Sequence, residues 1–184
     1  MNNAIGIIEL SCIHKGFEVQ DRMIKTAQVE TLLARTICSG KYLILVRGQL
    51  ADVEASVEAA KETAQYGLVN ATVIPNIDDR VFPAISGTTV FSGDPVDGML
   101  VVETFSVAAC IKAADFAVKA AEITLLRIHV AMAVGGKGFF ICTGNIDALK
   151  SAQEPALDFL KQEGSLVGCS LITQPDAQML KDLI

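Results

Sequence analysis

The chain has 184 residues, of which 51% are hydrophobic and only 5% aromatic, and its formal net charge is −6. An acidic chain without a basic stretch is poorly suited to binding nucleic acid, so we predict no nucleic-acid partner. No apolar run reaches the ~18–20 residues of a membrane helix, and residues 1–3 lack the order of a signal peptide. We therefore expect an intracellular protein without a membrane partner.

The hydrophobic pattern of the first half predicts six secondary-structure elements. Short runs of β-branched and apolar residues indicate strands, and apolar residues every three or four positions indicate helices. In chain order we predict a strand over 4–12, a helix over 17–27, strands over 29–37 and 42–46, a helix over 50–66 and a strand over 69–74. Gly67 is the expected C-cap of the second helix.

The same pattern returns in the second half. Asp21 to Ala27 returns as Asp115 to Ala121, and Ser39-Gly40-Lys41 returns as Gly135-Gly136-Lys137. The predicted elements are a strand over 99–104, a helix over 107–121, strands over 124–134 and 139–142, a helix over 146–163 and a strand over 166–172. We expect Pro155 to kink or divide the last helix, because proline lacks an N–H donor and its ring clashes with the preceding turn.

Each half thus has the order strand, helix, strand, strand, helix, strand, which is typical of the split βαβ arrangement. We predict an α+β protein of two tandem ferredoxin-like domains, 1–90 and 91–184, each an antiparallel sheet with helices on one face. The segment 75–97 between them is expected to be mostly loop, with 81–85 held on the surface by apolar residues. A duplicated unit presents two equivalent surfaces, and this favours assembly.

The five cysteines are unlike one another in their surroundings. They stand at positions 12, 38, 110, 142 and 169, and no two have the spacing of a zinc or iron–sulfur motif. An odd count without a signal peptide favours reduced thiols. Four lie in apolar elements and are expected in or near the core. Cys38 instead stands in a glycine turn, where a thiol can be exposed or can serve as an ordinary small residue.

Several of these residues form a pattern that resembles a known domain. Gly6-x-x-Glu9, Asp21-x-Met23-x-Lys25-x-Ala27, Ser39-Gly40-Lys41 and Gly48 resemble the bacterial microcompartment shell domain. The pattern occurs twice, so the chain resembles the tandem-domain shell proteins. Val107 to Asp115 and Arg127 to Val130 resemble the cysteine-bearing subgroup from propanediol-utilisation compartments. The resemblance implies a structural shell tile in the bacterial cytoplasm and not an enzyme.

The resemblance also implies partners and roles for particular residues. It implies a homotrimer that imitates a hexamer and binds other shell proteins, with an enclosed redox enzyme as a candidate partner. It places one lysine of each domain's first helix, Lys25 and Lys119, at the tile edge. It places the loop between the second and third strands at a central pore. The pore-lining residues are then Ile37, Cys38, Ser39, Gly40, Val134, Gly135 and Gly136.

For the cysteine-bearing subgroup, the resemblance implies a [4Fe–4S] cluster, one per trimer. Three copies of Cys38 would meet at the threefold axis and ligate three of the four irons. The cluster would transfer electrons across the shell or be delivered to an enclosed enzyme. Spacing in the sequence alone does not indicate this cluster.

Two other functions stay open at this point. A cluster-free tile would pass metabolites through its pore, and a redox enzyme or ferredoxin-like sensor of small molecules would bind a ligand without forming sheets. Lys41 and Lys137 fit either a positive potential at the pore or a solvated loop. No nucleophile, base and orienting residue can be grouped, and Gly135-Gly136-Lys137 lacks the remaining spacing of a P-loop.

Overall fold

The computed structural model describes residues 3–91, 96–130 and 134–181. The chain divides into two compact units, Met1–Ile77 and Asp78–Ile184. Each unit contains one four-stranded sheet. The predicted domain boundary near residue 90 falls in the segment that connects the two sheets and stays a prediction. No helix in the described ranges has the length and apolarity needed to cross a membrane.

The first unit has the predicted order of elements. It comprises strand β1 (Asn3–Leu10), helix α1 (Ile13–Thr26), strands β2 (Glu30–Ile37) and β3 (Lys41–Gln49), helix α2 (Leu50–Ala64) and strand β4 (Leu68–Ile74). The strands lie in the order β2-β3-β1-β4, and all neighbours are antiparallel. This is the sheet order of the ferredoxin-like arrangement.

The second unit repeats this arrangement between two additional short helices. It comprises helix α3 (Val81–Ser86), strand β5 (Gly98–Thr104), helix α4 (Val107–Ala120), strands β6 (Thr124–Val130) and β7 (Gly138–Gly144), helix α5 (Ile146–Gln162), strand β8 (Leu166–Thr173) and helix α6 (Ala177–Lys181). Its strand order is β6-β7-β5-β8. The predicted class, two tandem α+β domains, is confirmed. Residues 131–133, predicted as the end of a strand, lie outside the described residues.

The central strands carry the core of the first unit. β1 and β3 are buried along most of their length, as their mainly apolar sequences predict. The helices cover one face of the sheet, where Ile8, Met23, Ile44 and Val57 join in one cluster and are each at most 2% exposed. Burial of such a side chain stabilises the fold by about 1.5–3 kcal/mol relative to its exposed state.

Two local predictions about the connecting segment and the first unit differ from the structure. Residues 81–85 belong to helix α3 and not to a loop, but their apolar side chains do hold the segment in place, since Val81, Phe82 and Ile85 are at most 8% exposed. Gly67 does not cap α2. The helix ends at Ala64, and Gln65 takes the positive φ of 50° while its N–H bonds to the Lys61 carbonyl.

Pro155 does not divide α5, which runs unbroken from Ile146 to Gln162. The buried face of this helix has residues on both sides of the proline, including Leu149 and Ala152 before it and Leu160 after it. Burial of those side chains on the sheet outweighs the single backbone hydrogen bond that proline cannot donate.

Helix α1 approaches β3 closely at Gly16. A Cβ built on Gly16 would overlap the ring of Tyr42, which is 3% exposed. In the second unit the larger residue is on the helix and the glycine is on the strand. Cys110 occupies the helix position and Gly138 the strand position, where an added Cβ would lie 2.8 Å from the Cβ of Cys110. In each unit, therefore, one side chain fills the space between the first helix and the third strand.

Candidate functional site

Cys38 lies in the short connection between β2 and β3. It begins a single 3₁₀ turn, Cys38–Gly40, directly after Ile37, which is only 6% exposed. Cys38 itself is half-buried, and the side chain of Ser39 lies outside the described part of the chain. Gly40 has a φ of +72°, and no described atom lies within 4 Å of the position its Cβ would take. The turn is therefore anchored at Ile37 and open at Gly40, where a second backbone can approach closely.

The second unit has an open loop at the equivalent place, before β7. Gly135 and Gly136 have φ values of +64° and +86°, and among the described atoms none lies within 4 Å of either added Cβ. The loop closes through a hydrogen bond of 3.2 Å from the Lys137 N–H to the Val134 carbonyl. The structure thus places both predicted loops between the second and third strands of their units. Their pore-lining role depends on assembly and stays a prediction.

A lysine at the end of each loop is held by a glutamate of the unit's first strand. Lys41 Nζ lies 2.7 Å from Glu9 Oε1, and Lys137 Nζ lies 3.0 Å from Glu103 Oε1. Glu9 and Lys41 belong to one repeated sequence motif, but the sequence alone does not pair them. The repetition of both residues was the available signal, and the antiparallel register of β1 and β3 is what brings them together. The lysine charges are compensated, which disfavours a strongly positive pore rim.

The two predicted edge lysines also have carboxylate partners one helical turn earlier. Lys25 Nζ lies 2.7 Å from Asp21 Oδ2, with both side chains more than 60% exposed. Lys119 Nζ lies 2.6 Å from Asp115 Oδ2, but the Asp115 side chain is only 6% exposed. The other Asp115 oxygen accepts the Asp78 N–H at 2.8 Å. The repeated Asp-x-x-x-Lys motif is therefore a surface pair in α1 and a structural pair in α4.

We expect this difference to appear in stability. Asp115→Ala should lower the free energy of unfolding by about 1–3 kcal/mol, because it leaves the partly buried Asp78 N–H without its acceptor. Asp21→Ala should change it by no more than about 0.5 kcal/mol, since an exposed i, i+4 pair contributes little. Urea unfolding of the two variants at equal protein concentration measures both. If both substitutions lowered the free energy of unfolding equally, Asp115 would have no greater structural role than Asp21.

Cys110 and Cys142 are in the core, as predicted, and Cys169 is half-buried on β8, but Cys12 is half-buried outside the helices and strands, so its predicted place in an apolar element is wrong. Cys110 and Cys142 are buried, and burial raises the pKa of each thiol to about 12. Burial also raises the pKa of Cys169, which is half-buried and accepts a hydrogen bond of 3.1 Å from the Gln153 amide. Metals bind the thiolate, so the protonated thiols of Cys110 and Cys142 are unsuited to ligation at neutral pH.

One copy of the chain does not supply a complete metal site. Across residues 3–91, 96–130 and 134–181, no group of three or more His, Cys, Asp or Glu side chains could hold a metal ion. An iron–sulfur cube needs several thiolates within one cluster's reach. Cys38 fits such a cube only where further copies of the same thiol converge on it.

Two repeated sheet-and-helix units, with matched glycine loops and matched Glu–Lys and Asp–Lys pairs, define a tandem domain protein. Residues 4–77 and 100–175 each match the BMC domain. The chain therefore belongs to the bacterial microcompartment shell-protein family and carries two copies of its domain. This confirms the resemblance drawn from the sequence. The members of this family are structural proteins.

Two relatives resemble the chain over its whole length. It is 40% identical to the bacterial microcompartment shell protein PduT of Citrobacter freundii over 184 residues, which cover 100% of this chain and 99% of that protein. A crystal structure of a microcompartment protein from Desulfitobacterium hafniense DCB has a TM-score of 0.93 at 34% identity, covering 97% of this chain and 98% of that one.

A more distant solved structure shares the fold. The fused permuted hexameric shell protein of the RMM microcompartment has a TM-score of 0.61 at 20% identity and covers 87% of this chain and 84% of its own. The two BMC domains and the full-length shell-protein relative make the chain a shell tile of the tandem type.

Proposed function

We propose that the chain forms a homotrimeric tile in the bacterial cytoplasm, and that three Cys38 thiolates bind one [4Fe–4S] cluster at its threefold axis. In this proposal the tile joins other shell proteins and has no catalytic activity of its own. The observation that carries the cluster is the place of Cys38. It lies half-buried in the open turn between β2 and β3, the loop that the shell family directs to the centre of the tile.

Symmetry supplies the ligands that one chain lacks. Three copies of Cys38 provide three thiolates for three irons, and water, a small molecule or a non-cysteine side chain completes the fourth. Gly40, with its open side, lets three turns approach without a clash between side chains. When bound, a [4Fe–4S] cluster carries one electron at a time. It would accept electrons from a donor on one side of the shell and release them to an acceptor, such as an enclosed redox enzyme, on the other.

The direct test is the iron and sulfide content of anaerobically purified wild-type protein, together with electron paramagnetic resonance of the reduced sample. We expect about four irons and four sulfides per trimer. A colourless, iron-free preparation would refute the cluster. It would favour the second function, a cluster-free tile whose central pore passes metabolites.

The tile function makes a separate prediction about the edge lysines. In wild type, we expect flat sheets in electron microscopy of overexpressed protein. Lys25→Ala combined with Lys119→Ala should abolish the sheets and leave trimers intact, because both side chains reach solvent from equivalent helices. Lys150→Ala is the matched control, since Lys150 is 62% exposed on α5. A wild-type protein that neither forms sheets nor co-assembles with other tiles would favour the alternative function, a ferredoxin-like sensor of small molecules.

A further inference from the structure

The turn that carries Cys38 is anchored at its far end by an ion pair. Ile37 and Lys41 are register partners on β2 and β3, so the three residues of the turn lie between two paired residues. The Lys41 side chain reaches β1, where its Nζ lies 2.7 Å from Glu9 Oε1. Glu9 is the register partner of Leu43, so it is a diagonal neighbour of Lys41 on the same face of the sheet. The ion pair therefore ties the first residue of β3 to a central strand.

This ion pair is more protected from water than the surface pair within α1. The side chains of Lys41 and Glu9 are 33% and 15% exposed, whereas those of Lys25 and Asp21 are 69% and 62% exposed. Partly buried charges are screened less by solvent and salt, so each acts over a greater distance. Because the two opposite charges lie together, their fields largely cancel outside the pair. A substitution that removes one of them would leave the field of the other uncompensated.

The second unit has the same ion pair beside a loop that contains no thiol. Lys137 Nζ lies 3.0 Å from Glu103 Oε1, and Lys137 directly precedes β7 as Lys41 begins β3. The residue three positions before Lys41 is Cys38, whereas the residue three positions before Lys137 is Val134. The chain therefore contains two similar supports for two equivalent loops, and only one of these loops offers a metal ligand.

We propose that Lys41 and Glu9 are positioning residues for the cluster of the proposed function, on which this inference rests. The pair holds the Cys38 turn in its ligating position by fixing the start of β3, and the balance of its two charges sets the reduction potential. Reduction adds one electron, so a nearby positive charge favours it and a nearby negative charge opposes it. Each trimer contains three such pairs, so every substitution acts three times on one cluster.

The charge effect is tested by anaerobic redox titration of the trimer, monitored by electron paramagnetic resonance. Lys41→Met leaves the Glu9 charge uncompensated and should lower the reduction potential, whereas Glu9→Gln leaves the Lys41 charge uncompensated and should raise it. We expect each to change the equilibrium constant for reduction at least about tenfold, or about 59 mV for one electron. Lys41→Arg should retain the wild-type potential. Lys61→Met is the control, because it breaks an exposed pair on α2.

The positioning effect is tested by the release of iron to a chelator. Residues that support a metal ligand typically contribute about 10–100-fold to metal affinity. Lys41→Met should therefore release iron about tenfold faster than wild type, and Lys41→Arg should restore slow release. Lys137→Met breaks the equivalent pair of the second unit and should release iron at the wild-type rate, because its loop holds no thiol. Circular dichroism and native mass spectrometry check that each variant is a folded trimer.

The outcomes separate this inference from the proposed function. If Lys41→Met and Glu9→Gln move the potential in the same direction or leave it unchanged, the charge balance does not set it. If Lys41→Met and Lys137→Met release iron at equal rates, the pair does not position the turn. Either result would overturn the inference and leave the cluster in place, and Glu9→Gln provides both measurements if Lys41→Met does not fold. A wild-type protein without iron would refute the proposed function itself.

Discussion

Cys38→Ala is expected to remove all iron and acid-labile sulfide from the anaerobically purified protein while the trimer persists. Because each chain contributes one thiolate, this single substitution deletes all three protein ligands of the proposed cluster at once. The fold should be retained, since the residue is half-buried in a short turn and belongs to neither sheet. Iron and sulfide analysis, visible absorption and electron paramagnetic resonance measure the loss, and native mass spectrometry measures the oligomer.

Cys12→Ala is the matched control for this experiment. Cys12 is also half-buried and lies outside the helices and strands, immediately before α1, so it controls for the general loss of an accessible thiol. It should retain the full iron content. A cluster that survives in Cys38→Ala, or that is lost to the same extent in Cys12→Ala, would contradict ligation by Cys38.

The largest change in stability from the addition of one methyl group is expected at Gly16. Glycine to alanine in a helix normally stabilises by up to about 1 kcal/mol. Here the added Cβ meets the buried ring of Tyr42, and overpacking of this kind costs about 1–3 kcal/mol. We therefore expect a net loss of unfolding free energy in urea denaturation. Gly168→Ala should stay within about 0.5 kcal/mol of wild type, because no described atom lies within 4 Å of its added Cβ.

The exchanged pair in the second unit shows how the strain should be relieved. Gly16→Cys combined with Tyr42→Gly reproduces the arrangement of Cys110 and Gly138. The double variant should be more stable than the sum of the two single effects predicts, with a coupling of about 0.5–3 kcal/mol as found for residues in contact. Additive effects would show that the two positions do not share one space.

The regular elements were predictable because their signals are local. β1 and β3 are mainly apolar runs, and α1 and α4 repeat one helical pattern, so the duplicated order of elements could be derived without coordinates. α3 could not, because its six residues include Pro83 and fold as a helix through burial against α4 and β6. The positive φ of Gln65 is another non-local result, since Gly67 was the better cap by residue type.

The candidate site was predictable only in part. The loop that carries Cys38 follows from the order of strands, and the structure places it between β2 and β3. The pairing of Lys41 with Glu9 depends on strand register, which no local pattern encodes. The pore and the cluster depend on contacts between copies, so they follow from the family resemblance and not from the spacing of cysteines in one chain.

The exchanged sizes at Gly16 and Tyr42, and at Cys110 and Gly138, also bear on how the gene can change. A crossover that joined the first helix of one half to the third strand of the other would set glycine against glycine and leave a void, or cysteine against tyrosine and leave no room. We therefore expect recombination that homogenises duplicated genes to be disfavoured across this region. The two halves are expected to diverge as separate lineages, which allows one to acquire a thiol at its loop while the other does not.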